Sequence, residues 1–227
     1  MAKGFESKLV KQPSKIFIVE DHPVFREGLR QVVSREADLK VCGESGDYES
    51  ALKGIVRLQP DLALVDISLF GKSGLDLIRK LCSFSNKVKL LIVSMHDEAL
   101  YADRVLRAGG DGYIMKQEDP EEIVHAVRDV LGGHIYVSEE VLESRTNGAS
   151  AKSKARAKNG FLDQLTDTEL EILELLGRGK SQQQMSKQLR LGAQAVASHR
   201  TRIRKKLKLK NDEALTRYAA GWVEADK

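Results

Sequence analysis

Short, wholly apolar runs separated by longer amphipathic stretches fill the first half of the chain. The runs Ile16-Phe17-Ile18-Val19, Leu62-Ala63-Leu64-Val65 and Leu90-Leu91-Ile92-Val93 are too short for helices and carry no polar face. Runs of this kind read as strands buried on both faces of a parallel sheet. The pattern predicts strands near 15–20, 39–43, 62–66, 88–94 and 112–115. Helix-like segments fall between and after them, near 23–36, 47–58, 73–82, 97–108 and 119–131. Gly109-Gly110 and Gly132-Gly133 stand where helices should stop. Five βα units of this length predict a doubly wound α/β domain, (βα)5, around a parallel five-stranded sheet.

The pattern changes from about Ser144 to Gly160, where no apolar residue larger than alanine occurs and Lys and Arg are frequent. Such a stretch buries too little to offset the entropy of ordering it, and it reads as a flexible linker. Helical signals return afterwards. Thr166-Asp167-Thr168-Glu169 is a capping box opening a helix with Leu170, Leu173 and Leu176 on one side. Ser181 to Gln184 forms a second box, opening a helix through Leu189. A longer basic helix follows Gly192 to about Leu207, and Asn211 caps a last one carrying Leu215, Tyr218, Ala219 and Trp222. The expected division is an N-terminal tail at 1–14, the α/β domain at 15–133, a linker at 134–161 and a small all-α four-helix domain at 162–227.

Composition adds an asymmetry. With 41% hydrophobic and 31% charged residues the chain is of the soluble globular kind. No apolar run approaches a membrane span, and Met1 to Ser14 lacks the apolar core of a secretory leader. Cys42 and Cys82 stand far apart without metal-ligand spacing, which suits reduced thiols and a cytoplasmic location. Residues 1–149 hold 20 Lys+Arg and 24 Asp+Glu, a net −4, whereas residues 150–227 hold 17 and 9, a net +8. An acidic half joined to a basic half implies different partners, with nucleic acid a candidate for the basic one.

The acidic half carries the chemistry. Glu20-Asp21 closes one apolar run and Asp66 another, so three carboxylates sit at the carboxyl ends of strands. Ligands of open α/β sheets bind at that edge. Carboxylates gathered there repel one another unless a cation lies between them, which favours Mg2+ and chemistry on a phosphoryl group. Ser94 ends a third run and Lys116 follows a fourth, on the same edge. A hydroxyl can donate to a phosphoryl oxygen, a lysine can neutralise it, and a carboxylate can be the accepting nucleophile.

In the basic half, the helix after Gly192 places Val196, Arg200, Ile203 and Leu207 toward a core, and Ala197, Ser198, Thr201, Arg202 and Lys205 away from it. An exposed face of small residues flanked by cations suits the major groove of double-stranded DNA. Arg202 and Lys205 are the leading candidates for DNA contact, with Arg204, Lys206, Lys208 and Lys210 for phosphates.

On these residues the chain resembles two-component response regulators of the NarL/FixJ type, a receiver followed by a LuxR-type helix-turn-helix domain, from about Lys15 to Trp222. The resemblance implies that Asp66 is the phosphoacceptor and that Glu20, Asp21, Asp66 and the Ser68 main-chain carbonyl hold Mg2+. It implies that Ser94 is the switch hydroxyl, Tyr113 the switch aromatic and Lys116 the lysine contacting the phosphoryl group. Partners so implied are a sensor histidine kinase, DNA and a second copy in a phosphorylation-dependent homodimer, with no membrane. The second domain matches at Leu165-Thr166, Glu169, Leu173, Gly179, Ser181, Leu189, Val196, His199, Ile203 and Lys206-Leu207.

Two departures stand out. Phe70 replaces the proline usual in the acceptor loop, where proline would fix φ. Ala197 replaces a lysine commonly used on DNA, so Arg200, Thr201 and Arg202 would compensate, and the base preference of the face formed by Ala197, Ser198, His199, Thr201 and Arg202 would be unusual. Phe70 favours an alternative in which the receiver only dimerises and needs no phosphate. An aspartyl-nucleophile phosphatase is a further alternative, but such enzymes need an acid two residues after the nucleophile, and Ser68 stands there. On this reading the chain is not an enzyme beyond its own phosphoryl transfer and dephosphorylation.

Overall fold

The computed structural model describes residues 12–69, 73–84, 87–146 and 162–224. The expected N-terminal tail up to residue 11, Phe70 and the basic stretch at 147–161 lie outside the described residues. Five strands, β1 (Ser14–Val19), β2 (Leu39–Ser45), β3 (Leu62–Val65), β4 (Lys89–Ser94) and β5 (Gly112–Met115), pair in parallel in the order β2-β1-β3-β4-β5. Helices α1 (Pro23–Ser34), α2 (Tyr48–Leu58), α3 (Gly74–Ser83), α4 (Glu98–Ala108) and α5 (Pro120–Leu131) connect or follow them. The apolar runs fulfil their prediction to within two or three residues at each end, because β3 and nearly all of β1 and β4 are buried, whereas β2, at the margin of the sheet, is largely half-buried or exposed.

Local chemistry fixes the helix ends. Asp47, Ser73 and Asp97 each accept a backbone N–H at the starts of α2, α3 and α4, and Pro23 and Pro120 open α1 and α5. Gly109, at φ +100°, ends α4 in the left-handed region that a side chain would resist. One sheet face packs Leu29, Val33, Ile123 and Val127 of α1 and α5. The other packs α2, α3 and α4, and its buried cluster continues without a break into the C-terminal helices. Phe17 fits there because Gly43 and Gly54 flank its ring; a Cβ at either would lie 2.6 Å from it.

After α5 the chain crosses the edge of β5, where Tyr113 N–H donates to the Tyr136 carbonyl (2.7 Å) and Tyr136 N–H to that of Asp111 (3.1 Å). A short helix, α6 (Glu139–Thr146), then forms inside the span expected to be linker. Glu139-Glu140-Val141-Leu142-Glu143 favours a helix, and Val141 is buried in the core that includes α4. Leu162–Gln164 makes one 3-10 turn before α7 (Asp167–Gly177), α8 (Gln182–Gln188), α9 (Ala193–Lys206) and α10 (Asp212–Glu224). Both expected capping boxes form, at Thr166/Glu169 and Ser181/Gln184, and Asn211 caps α10 through the Ala214 N–H. Gly177 lets α7 and α10 meet, since a Cβ there would lie 2.4 Å from the Ala219 carbonyl.

Glu169 ties this helical unit together. Its buried carboxylate accepts the Thr166 N–H at 2.9 Å and Lys206 Nζ, from the end of α9, at 2.6 Å. Burial opposes its ionisation, but Lys206 and Thr166 outweigh it and hold the carboxyl below its ordinary range. A depressed folded pKa adds stability above the unfolded value that is lost as pH falls through the folded one. Glu169→Gln is expected to cost the helical unit about 2 kcal/mol near pH 7, allowing for the partly exposed lysine. Thermal melts should show the difference between wild type and variant shrinking below about pH 4.5, the ordinary value for this group.

Candidate functional site

The strand order reverses beside β1, so β1 and β3 open their carboxyl ends onto the crevice where such sheets bind ligands. Glu20 and Asp21 follow β1 and Asp66 follows β3, and one ligand atom from each of these and from His22 lies within 4.8 Å of the others. Asp66 is buried, with Gly74 directly behind it; a Cβ at Gly74 would come within 2.0 Å of the Asp66 carbonyl. Lys116, just past β5, reaches across with Nζ 2.9 Å from Asp66 Oδ2 and 2.6 Å from Glu20 Oε2, over the ring of Phe25. Burial, moderated by Lys116 and reinforced by Glu20, pushes the Asp66 carboxyl up to about 6. The raised value makes it more basic, and a better nucleophile when ionised, than a surface aspartate.

The structure thus brings Glu20, Asp21, Asp66 and Lys116 together. Ser94, fully buried at the end of β4, accepts the His96 N–H at 3.2 Å. Ser68 makes an antiparallel bridge with Ser73. Tyr113 is already turned inward, its hydroxyl donating to the His96 carbonyl at 2.6 Å, and burial raises its pKa. Sequence reading missed His22, whose signal was only its place beside the two acids, and whose Nδ1 lies 2.8 Å from Asp21 Oδ1.

The donor set suits a hard divalent cation. Three carboxylates converge, and Glu20 Oε2 and Asp21 Oδ1 are buried without accepting a hydrogen bond, their nearby lysine and histidine lying outside hydrogen-bond geometry.

The helical unit sits on this same edge, a feature the sequence did not announce. His96 bridges the two parts: Nε2 lies 2.9 Å from Ser68 Oγ and Nδ1 2.8 Å from Glu174 Oε2 of α7. Burial opposes His96 protonation, but Glu174, Glu171 and Asp66 outweigh it and raise the pKa. Glu171, buried beside Ser68 Oγ at 3.4 Å, is raised to about 7, mainly by burial and against the pull of His96. Arg104 of α4 donates to the carbonyls of Leu162 and Leu165 and to Asp167, which Arg79 of α3 also meets at 3.1 Å. One signal was available: Ile172 and Leu175 lie off the Leu170/Leu173/Leu176 stripe, so α7 is apolar on more than one side.

On α9 the outward face is as expected. Ala197, Ser198, Thr201, Arg202 and Lys205 are exposed, as is Lys208 beyond the helix, while Val196, Ile203 and Leu207 are buried. The hydroxyls of Ser198 and Thr201 bond back to the carbonyls of Gln194 and Ala197. Arg204 and Lys206 are half-buried, and Lys206 is engaged by Glu169. Arg200 reaches Asp212 at 2.9 Å. Burial, with Arg202 beside it, pushes the pKa of the half-buried His199 imidazole down.

Comparison with known proteins agrees with both halves. Residues 16–128 match the response regulator receiver domain, and residues 163–219 the bacterial regulatory proteins of the luxR family. The nitrate/nitrite response regulator NarL of Escherichia coli is 30% identical over 96% of this chain and 98% of its own length. The oxygen regulatory protein NreC of Staphylococcus carnosus is 32% identical over 90% and 96%. A LuxR-family response regulator from Aurantimonas sp. SI85-9A1 superimposes with TM-score 0.55 at 30% identity, over 58% of this chain and 94% of its own. RcsB of Salmonella enterica bound to promoter rprA, at 20% identity and TM-score 0.60 over 92% and 99%, shares the fold. A receiver joined to a LuxR-type helix-turn-helix unit defines a DNA-binding response regulator. The chain belongs to the NarL/FixJ type of that family. None of the described helices is long and apolar enough to cross a membrane.

Proposed function

We propose that Asp66 accepts a phosphoryl group from the phosphohistidine of a sensor histidine kinase, and that the modification frees and pairs the helix-turn-helix domains on DNA. The observation that carries this is the buried Asp66–Lys116–Glu20 cluster at the carboxyl edge of the sheet. Lys116 engages Oδ2, leaving Oδ1 to attack phosphorus while the phosphohistidine nitrogen departs. The lysine then neutralises phosphoryl charge, and the Ser94 hydroxyl donates to a phosphoryl oxygen. Glu20, Asp21, Asp66 and the Ser68 carbonyl would hold Mg2+, which supplies charge neutralisation at the phosphoryl oxygens when bound. Apart from this self-modification the chain is a transcription regulator, working in the cytoplasm. Its working parts are the receiver at 15–133, a connector at 134–161 and the DNA-binding domain at 162–227.

The output follows from charge. A phosphoryl group on Asp66 adds negative charge beside Glu171 and Glu174, the acids by which α7 faces the receiver. Repulsion there would release α7 and uncover α4, making the surface of α4, β5 and α5 available to a second copy. Two released domains then bind paired half-sites in the major groove through Ala197, Ser198, His199, Thr201, Arg202 and Lys205, with Arg204, Lys206, Lys208 and Lys210 on phosphates. Incubation with acetyl phosphate and Mg2+ tests the reading. Wild type should gain the mass of one phosphoryl group and bind DNA more tightly as a dimer, whereas Asp66→Ala should do neither. Absence of a mass gain on wild type would overturn it.

A further inference from the structure

A cation from the helix-turn-helix domain already stands at the acidic site. Arg190 lies in the turn between α8 and α9, and its Nη1 is 3.0 Å from Asp21 Oδ2. Asp21 belongs to the four-residue cluster whose ligand atoms fit a single ion. The turn is seated there by Leu189 and Leu191, which line a small cavity with Ile67, Ser68 and Leu69 of the acceptor loop. The backbone adds an independent indication. Arg190 has φ +51°, in the left-handed region that glycine or asparagine adopts at least cost. A long cationic side chain is held at a position whose backbone favours none.

We propose that Arg190 is a built-in competitor for the divalent cation, so that metal binding and docking of the DNA-binding domain oppose each other. The inference rests on the reading of Glu20, Asp21 and Asp66 as a divalent-cation site. With the domains docked, the guanidinium neutralises Asp21 and repels a second cation from the pocket. An ion bound to the acids removes the attraction that seats the turn. The coupling is reciprocal: whatever factor Arg190 takes from the affinity for the ion, the ion takes from docking. The receiver would then be primed before phosphate arrives, since the ion loosens the contact that the phosphoryl group later breaks.

Arg190→Gly removes the guanidinium and relieves the backbone, so the domain should keep or gain thermal stability. Arg190→Asn, also tolerant of this conformation, serves as a second variant. Mn2+ titrated into the full-length proteins, with free ion read by electron paramagnetic resonance, should bind both variants about 5- to 10-fold more tightly than wild type, the low end of the range usual for coupled sites. Saturating Mn2+ should expand wild type in small-angle scattering and change the variants little. Equal Mn2+ affinity in wild type and both variants would overturn the competition while leaving the metal site standing. Mn2+ binding to none of them would overturn the metal site, and the inference with it.

Discussion

Replacing Lys116 with methionine is expected to make the folded receiver depend on a divalent cation. The Lys116 side chain is nearly buried, and it sits between Asp66 and Glu20, themselves 3% and 1% exposed. Burial lowers its pKa, yet the two carboxylates more than reverse that and raise it, so the cation is held firmly in place. Methionine fills a similar volume but leaves two buried carboxylates facing each other. Breaking a buried pair in this way costs about 3–5 kcal/mol. Chemical denaturation in the presence of a chelator should show a loss of that order, and millimolar Mg2+ should restore much of it. If the variant were as stable as wild type in chelator, Lys116 would not be the counter-charge of the site.

Arg104→Ala is expected to separate the DNA-binding domain from the receiver without any phosphoryl donor. Its guanidinium satisfies two main-chain carbonyls before α7 and the buried Asp167 carboxylate, leaving, among the described residues, the half-exposed Arg79 on that acid. Losing the partner of a nearly buried charge at a domain boundary costs about 2–4 kcal/mol, after allowing for the residual Arg79 contact. That corresponds to roughly a 30- to 1,000-fold shift toward the open arrangement, since about 1.4 kcal/mol is tenfold. The radius of gyration should rise in small-angle scattering. Truncation of Arg107 instead should do little, because it pairs with Asp103 of its own helix in solvent. Equal compactness of wild type and Arg104→Ala would show that α4 does not hold the domain.

The two predictions draw on parts of the molecule that were unequally legible. Asp66, Glu20, Asp21, Ser94 and Lys116 could be placed from sequence because each ends or follows a buried strand, and parallel strands deliver their ends to one edge. The helices of the second domain were legible through their caps, Thr166 and Ser181 above all. The junction was not. Glu171 and Glu174 carry charges that ordinarily stay in solvent, yet both are buried, because another surface of the same chain covers them. Burial of an acid by a distant segment leaves no local mark in sequence. Arg190 is similar: its backbone conformation, not its neighbours in sequence, sets it apart. Helix α6 was obscured by the low-complexity stretch after it, although Val141 and Leu142 gave it an apolar seed.

The treatment of the sheet's two margins bears on how copies of the chain can meet. Beside β5, Tyr136 takes the backbone groups that another strand would need. At the opposite margin β2 is bulged, the register with β1 skipping Cys42 between Val41 and Gly43. Bulges and covered edges both discourage strand addition. Ladder hydrogen bonds between copies would be indifferent to one added phosphate and slow to undo. With those routes discouraged, the pairing of copies proposed above would run through side chains on helices, whose charge a single modification can alter. Such an assembly would stay reversible, on the timescale of the signal rather than of aggregation.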